Sequence, residues 1–220
     1  MANIMIWDWP VRLLHWLMVL LFTGLIVTGK GDGDYMDWHF YMGYGLSAVI
    51  IARVLYGVLG SEYARFKQFL YQPQTVLRYA KGLLVGNAKH YLGHNPVGGL
   101  MVVALLLALT LQWGSGLFIS DEIFLFGPFY GVISDDWTEQ LGAIHHSLPD
   151  ILLILVATHI LAVLYHEIRF KERLVAAMLH GKKATHEPSA ALTVKTPRIG
   201  VIVSMIFALA WLGWLWSIPV

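Results

Sequence analysis

The chain has 220 residues, of which 57% are hydrophobic and only 13% charged, and its mean hydropathy is +0.62. Because so little polar surface cannot cover a water-soluble globule, the composition indicates a membrane protein. The net charge of +1 gives no reason to expect nucleic acid as a partner, and the absence of cysteine excludes disulfides, thiolate metal sites, iron–sulfur clusters and covalently attached haem.

Five apolar stretches approach the roughly 20 residues that a helix needs to cross a membrane. The first begins near the N-terminus, but Arg12 is the only cation before it and no signal-peptide cleavage site follows it, so we expect it to be retained. A shorter amphipathic helix, over 72–85, is predicted to lie in the membrane interface or to cover a loop. The sequence therefore predicts an all-α integral membrane protein with spans at 13–28, 40–59, 97–119, 143–165 and 199–218.

Lysine and arginine are distributed unevenly over the connecting segments. The loops after the first and third spans contain one cation, Lys30, against eight acidic residues. Apart from Arg53, which lies within the second span, all other lysines and arginines flank the opposite ends of the spans. By the positive-inside rule, this pattern predicts a cytoplasmic N-terminus and a C-terminus outside the cytoplasm.

Histidines inside the spans are the candidate functional residues, because ionisable groups in a bilayer are costly. His145 and His159 are fourteen residues apart in the fourth span, which on a helix is about 40° from eclipsed and about 21 Å along the axis. They therefore share one face of that helix. His146 is predicted to point in a different direction.

The antiparallel spans place these histidines at matching depths. His15 of the first span is predicted to lie level with His159 near the cytoplasmic side, and His39 of the second span level with His145 near the outer side. Two histidine pairs at two depths are what two six-coordinate haems require, and without cysteine these are non-covalent b-type haems. The alternatives are interfacial histidines that bond to neighbouring carbonyls, a proton relay or another metal site.

The sequence resembles the bacterial dihaem cytochrome b family, which includes cytochrome b561 and the b-type cytochrome subunit of membrane-bound Ni-Fe hydrogenases. The resemblance covers about residues 5–175, and the fifth span departs from the family's four-helix core. It rests on the stretch WDWPVRLLHW at 7–16, His39 with Gly43, Arg53 with Gly57 and Gly60, GHNP at 93–96, the pair His145-His146, and His159 followed by Tyr165-His166.

This resemblance implies a four-helix haem-binding bundle in a bacterial inner membrane. Two haem b groups would be ligated by the pairs His15/His159 and His39/His145, and they would carry electrons between the quinone pool and a redox partner. The implied organisation is a dihaem domain over 1–175, a cytoplasmic linker over 176–197 and an additional transmembrane helix over 198–220. That last helix is a candidate contact in an oligomer.

Two arginines are candidates for binding haem propionates. Arg53 lies fourteen residues after His39, at the depth of the cytoplasmic haem, and Arg12 lies just before His15. A guanidinium in lipid needs an anion, and a propionate would supply one. The alternative for both is that the side chain extends to the lipid headgroups.

His94 and Asn95 are weaker candidates for a bound quinone. They precede the third span on the cytoplasmic side, next to the predicted inner haem, and could donate to quinone carbonyls. The Asn-Pro pair that follows His94 is also an ordinary turn before a helix.

The predicted function is electron transfer between quinone and a periplasmic cytochrome or other redox protein. If that partner is basic, the acidic residues on the outer side would attract it. A second hypothesis is a stand-alone oxidase of a small reductant such as superoxide, with quinone as acceptor. A third is a transporter whose histidines line a proton path. The first hypothesis makes the chain a subunit rather than an enzyme in its own right.

Overall fold

The computed structural model describes residues 2–31, 35–120, 126–185 and 194–218. It contains seven α-helices in these ranges, together with two short 3₁₀ turns and two four-residue strands. The helices are α1 (Trp9–Lys30), α2 (Met36–Leu59), α3 (Pro73–Leu84), α4 (Pro96–Gly116), α5 (Asp135–Arg169), α6 (Leu174–His180) and α7 (Arg198–Ser217). The strands are β1 (Ala2–Met5) and β2 (Lys182–Thr185), which pair antiparallel.

Five of the helices in the described ranges, namely α1, α2, α4, α5 and α7, are long and apolar enough to cross a membrane. The prediction of an all-α integral membrane protein with five spans is therefore confirmed. The short amphipathic helix predicted over 72–85 is α3. We call the end of the bundle at which α1 begins the basic end, and the opposite end the acidic end.

Helix α2 lies at the centre of the bundle and packs against α1, α4 and α7. Its contact with α7 is made by small residues, Ala48 and Ala52 against Ala208, and Trp211 of α7 donates to the hydroxyl of Ser47 at 2.8 Å. Small residues let membrane helices approach closely, where packing and interhelical hydrogen bonds replace the hydrophobic effect. The fifth span is thus held within this chain, on the face of α2 turned away from α5.

The paired strands were not part of the sequence prediction. They join the N-terminus to the segment after α6, inside the stretch predicted as a linker over 176–197. That stretch contains the end of α6 and all of β2, while its residues 186–193 lie outside the described ranges. Arg12 binds the same segment through a 2.6 Å hydrogen bond from Nη1 to the carbonyl oxygen of Leu179.

A polar network holds β2 against the rest of the basic end. Lys183 Nζ lies 2.8 Å from Glu172 Oε2 and 2.8 Å from the carbonyl oxygen of Tyr91, and His90 bonds to the other oxygen of Glu172. Burial alone would raise the pKa of Glu172, but Lys183 and the two hydrogen bonds outweigh it and lower that pKa below its ordinary value of 4.5. The carboxylate is therefore stabilised in the folded protein.

Replacing Lys183 with methionine is expected to destabilise the basic end by about 2 kcal/mol, between the values for exposed and for buried ion pairs. A carboxylate with a lowered folded-state pKa stabilises the fold above pH 4.5 and loses that effect as the pH falls. At pH 7 the thermal unfolding midpoint in detergent should therefore be lower for the variant than for the wild type, and the two midpoints should converge below pH 4.5. Lys182→Met, on the exposed neighbouring residue, is the control; an equal loss there would contradict the assignment.

Candidate functional site

His39 of α2 and His145 of α5 face each other at the acidic end of the bundle. Their ring centroids are 6.3 Å apart and the rings are nearly perpendicular, with an interplanar angle of 76°. They line a cavity of about 280 Å³ between α1, α2, α4 and α5, which we call the acidic-end cavity. Its other described lining residues include Phe22, Leu25, Gly29, Lys30, Gly43, Leu46, Trp113, Gly116, His146 and Leu152.

Hydrogen bonds fix the tautomer of both rings. His145 Nδ1 lies 2.9 Å from the carbonyl oxygen of Gln112, which can only accept, so Nδ1 carries the proton. His39 Nδ1 lies 3.1 Å from Thr28 Oγ1, and that hydroxyl already donates to the carbonyl oxygen of Gly24 at 2.8 Å, so it accepts from His39. In a neutral imidazole with a proton on Nδ1, Nε2 has the free lone pair that binds a metal.

Two glycines allow the rings to lie where they do. A Cβ atom on Gly29 of α1 would come within 2.8 Å of His39 Cε1, and one on Gly116 of α4 within 2.7 Å of His145 Cε1. Real Cβ atoms do not approach so closely, so any larger residue would displace the imidazole. Each ring is therefore held between its own helix and a glycine of the neighbouring helix.

The geometry of this pair suits a haem iron. Two imidazoles that bind one metal from opposite sides, with Nε2 about 2.0 Å away, have ring centres roughly 6 Å apart, which matches the 6.3 Å observed. Gly43, one turn after His39, lines the cavity, and a Cβ atom there would meet no atom within 4 Å. The two imidazoles and the open space beside them thus fit a flat, largely apolar metal-containing group, which His39 and His145 would hold.

A second group of ionisable side chains lies at the basic end. His15 of α1 is within electrostatic range of His159 of α5 and Arg53 of α2, and His15 Nδ1 is buried without a partner among the described residues. His94, just before α4, lies close to the same three residues. We call His15, Arg53, His94 and His159 the basic-end cluster.

His94 is packed between aromatic rings, with ring centroids 4.7 Å from Trp7 and 4.5 Å from Phe69. Burial lowers the pKa of His94 to about 3, and the nearby groups Arg53, His159, Lys183 and His15 act in the same direction. His94 is therefore neutral at physiological pH. Asn95 caps α4, because its side-chain oxygen accepts from the backbone N–H of Gly98 at 2.7 Å.

Arg53 is buried inside the protein rather than extended to a lipid headgroup. It is 5% exposed, its guanidinium lies 5.6 Å from the centre of the Phe66 ring, and its Nη1 lies 3.5 Å from the carbonyl oxygen of Ala64. Tyr56 lies one turn after Arg53 on α2, and its hydroxyl donates a hydrogen bond to Asp8, which is also buried. Asp8 lies within electrostatic range of the Arg53 guanidinium and offsets part of its charge, and Arg53 in turn lies close to His15 and His94.

Some residues that shape the site were not found from the sequence. Thr28, Gln112 and Ser115 hold the two acidic-end rings across helix boundaries, with Ser115 Oγ 3.3 Å from His145 Nδ1. Their spacing to His39 and His145 along the chain gives no signal, because the contacts join different helices. Gly43 was noted with His39 in the sequence, but only as part of the family resemblance; the spacing of four residues places both on one face of α2.

Membrane-spanning helices that bring two histidines face to face, in a chain without cysteine, fit a membrane-bound b-type cytochrome. The comparison with known families agrees, since the family described as prokaryotic cytochrome b561 matches residues 6–181. The chain belongs to the prokaryotic cytochrome b561 family. It is accordingly a haem-carrying transmembrane protein of electron transport, and the resemblance seen in the sequence is confirmed.

Several curated proteins are similar to the chain over most of its length. The probable Ni/Fe-hydrogenase B-type cytochrome subunit of Rhodobacter capsulatus is 24% identical, over 83% of this chain and 82% of its own. The corresponding protein of Azotobacter vinelandii is 25% identical, over 80% and 86%. The probable Ni/Fe-hydrogenase 1 B-type cytochrome subunit of Escherichia coli K12 is 22% identical, over 81% and 90%. No solved structure matches the chain significantly.

Proposed function

We propose that the chain is a dihaem b-type cytochrome that transfers electrons across the membrane between quinone and a redox protein. The observation that carries this proposal is the facing pair His39 and His145, with 6.3 Å between ring centroids and with both Nδ1 atoms engaged. That arrangement leaves both Nε2 atoms for one iron at the acidic end. His15 and His159 would ligate a second iron at the basic end.

The basic-end cluster supports the second haem. His15 of α1 and His159 of α5 lie within electrostatic range of each other, and Arg53 supplies a buried positive charge for a haem propionate. Arg12 is a weaker candidate for the same role, because its Nη1 already bonds to the backbone of α6. Haem b would supply one-electron chemistry, and the protein would set its position and potential.

The direction across the membrane follows from the charge distribution. We assign the basic end to the cytoplasm and the acidic end to the periplasm of a bacterial inner membrane. Quinone would bind beside the basic-end haem, where neutral His94 and the amide nitrogen of Asn95 can donate to its carbonyls. Asn95 contributes less than the sequence hypothesis assumed, since its oxygen is used as the helix cap.

The redox partner would dock at the acidic end. Asp135, Asp136 and Glu139 are exposed at the start of α5, and Asp37 at the start of α2; Asp32, Asp34, Asp121 and Glu122 lie outside the described residues. Such a rim attracts a basic partner. That relatives are named as cytochrome subunits of Ni/Fe hydrogenases also supports a redox protein as partner.

The test is the visible spectrum of the purified protein, oxidised and reduced, with a pyridine haemochrome count and a redox titration. We expect a b-type reduced α-band, two haems per chain and two midpoint potentials. Reduction of the haems by a quinol analogue, and slower reduction in His94→Leu, would support the quinone assignment. A single haem per chain would contradict the dihaem proposal, and a colourless protein would favour the transporter hypothesis.

The hydrogen bond from His39 to Thr28 gives a prediction about potential. Thr28→Val keeps the shape of the side chain but removes the acceptor, so His39 becomes a weaker donor to ferric iron. We expect the midpoint potential of the acidic-end haem to rise and its affinity to fall by at least about tenfold. The measurements are a redox titration and a haem-loss assay.

Thr23→Val is the matched control for this prediction. Thr23 lies on the same helix, and its hydroxyl bonds to its own helix through the carbonyl oxygen of Val19. Thr23→Val should leave the midpoint potentials of both haems unchanged. An equal shift in both variants would show that the effect comes from α1 as a whole rather than from His39.

A further inference from the structure

Lys30, in the last turn of α1, lines the acidic-end cavity. Among the described residues that line the cavity, Lys30 is the only lysine or arginine, and none is an aspartate or a glutamate. Many of the other lining residues are apolar, among them Phe22, Leu25, Leu46 and Leu152. The cavity therefore suits a molecule that is apolar over most of its surface and anionic at one edge.

The charge of Lys30 is paired with an acid on another helix. Lys30 Nζ, at the end of α1, lies 2.7 Å from Asp150 Oδ1 on α5, and the two side chains are 50% and 69% exposed. Exchange of Asp150 for a haem propionate would replace one ammonium–carboxylate ion pair with another of the same kind. Lys30 can therefore exchange Asp150 for another carboxylate at small cost.

We propose that Lys30 binds a propionate of the acidic-end haem and that its charge, opposed by Asp150, sets the potential of that haem. The inference rests on the proposed function, in which His39 and His145 ligate this haem. Haem b is apolar except for two carboxylates on one edge, which matches the lining of the cavity. A charge-assisted bond from an ammonium group to a carboxylate is stronger than a neutral hydrogen bond.

The two charges of the pair act on the haem with opposite signs. A positive charge nearby stabilises the reduced iron, which carries one positive charge fewer than the oxidised iron. Lys30→Gln should therefore lower the midpoint potential of the acidic-end haem, and Asp150→Asn should raise it. The potential of the basic-end haem should change little in both variants, because that site lies about 21 Å away along α5.

Haem and its dimethyl ester, whose propionates carry no charge, give a direct test. Full-length apoprotein in detergent is reconstituted with each, as wild type, Lys30→Gln, Lys30→Arg and the exposed basic-end control Lys81→Gln. Haem loss is followed by transfer to an excess of a haem-scavenging protein. The kinetic phase that is absent in His145→Ala is assigned to the acidic-end haem, and the rate of that phase is compared among the variants. We expect Lys30→Gln to speed the loss of haem on the order of tenfold and to leave the loss of the ester unchanged.

Each outcome decides the proposal. Retention of haem by Lys30→Arg, together with an unchanged rate in Lys81→Gln, would support it. Equal effects of Lys30→Gln on haem and on its ester would overturn it, because the role of Lys30 would then be structural. Opposite potential shifts in Lys30→Gln and Asp150→Asn are also required. If His145→Ala removes no phase at all, the haem ligation proposed above has failed, and this result is distinguishable from a failure at Lys30.

Discussion

Replacement of His159 by alanine is expected to lower the haem content from about two per chain to about one. In the proposed assignment His159 supplies one of the two axial nitrogens at the basic end, and no other described side chain near His15 except His94 could replace it. The acidic-end pair should keep its haem, because His39 and His145 are held by their own hydrogen bonds to Thr28 and Gln112. The measurement is the ratio of pyridine haemochrome to protein.

His146→Ala is the matched control for His159→Ala. His146 lies on the same helix, is exposed and has its ring centroid 6.0 Å from that of His145, yet it is not assigned as a ligand. It should retain both haems. Loss of both haems in His159→Ala, or of neither, would contradict the assignment of His15 and His159 as a pair. If His159→Ala keeps two haems per chain and the double variant His159→Ala with His94→Leu loses one, His94 acts as the substitute ligand.

The helices and the grouping of the histidines could be predicted because both depend on periodicity. A span of apolar residues fixes the length of a helix, and fourteen residues bring His145 and His159 onto one face of it. The charge pattern of the loops gives the orientation of the spans, and their alternating direction places His39 at the depth of His145 and His15 at the depth of His159. These steps need no knowledge of how the helices pack.

The details of the site depend on packing between helices, which the sequence does not encode by spacing. The tautomers of His39 and His145 are fixed by groups on α1 and α4, respectively, and the close approach of those helices requires Gly29 and Gly116. The location of α7 against α2 likewise depends on Ala48, Ala52 and Ala208 meeting at one interface. Such matches between helices far apart in sequence appear only once the bundle is assembled.

Replacement of Gly43 by leucine is expected to exclude the acidic-end haem while leaving the folded protein at least as stable as the wild type. A Cβ atom at Gly43 meets nothing within 4 Å, so the leucine side chain has room in the cavity, and leucine favours a helix over glycine by somewhat less than the roughly 0.8–1 kcal/mol that separates alanine from glycine. The same room is what the macrocycle would occupy next to His39. We therefore expect one haem per chain, an unchanged basic-end potential and an unfolding temperature of the apoprotein that does not fall.

Gly114→Leu separates loss of the haem site from the effect of a new side chain on a helix. Gly114 of α4 also has open space around its Cβ position, but it is not among the described residues that line the cavity, so both haems should remain. Because the two sites are far apart, their effects should add, and the double variant Gly43→Leu with His159→Ala should be colourless. If Gly43→Leu keeps two haems, the acidic-end cavity is not a haem site, and the 6.3 Å approach of His39 and His145 must serve another purpose.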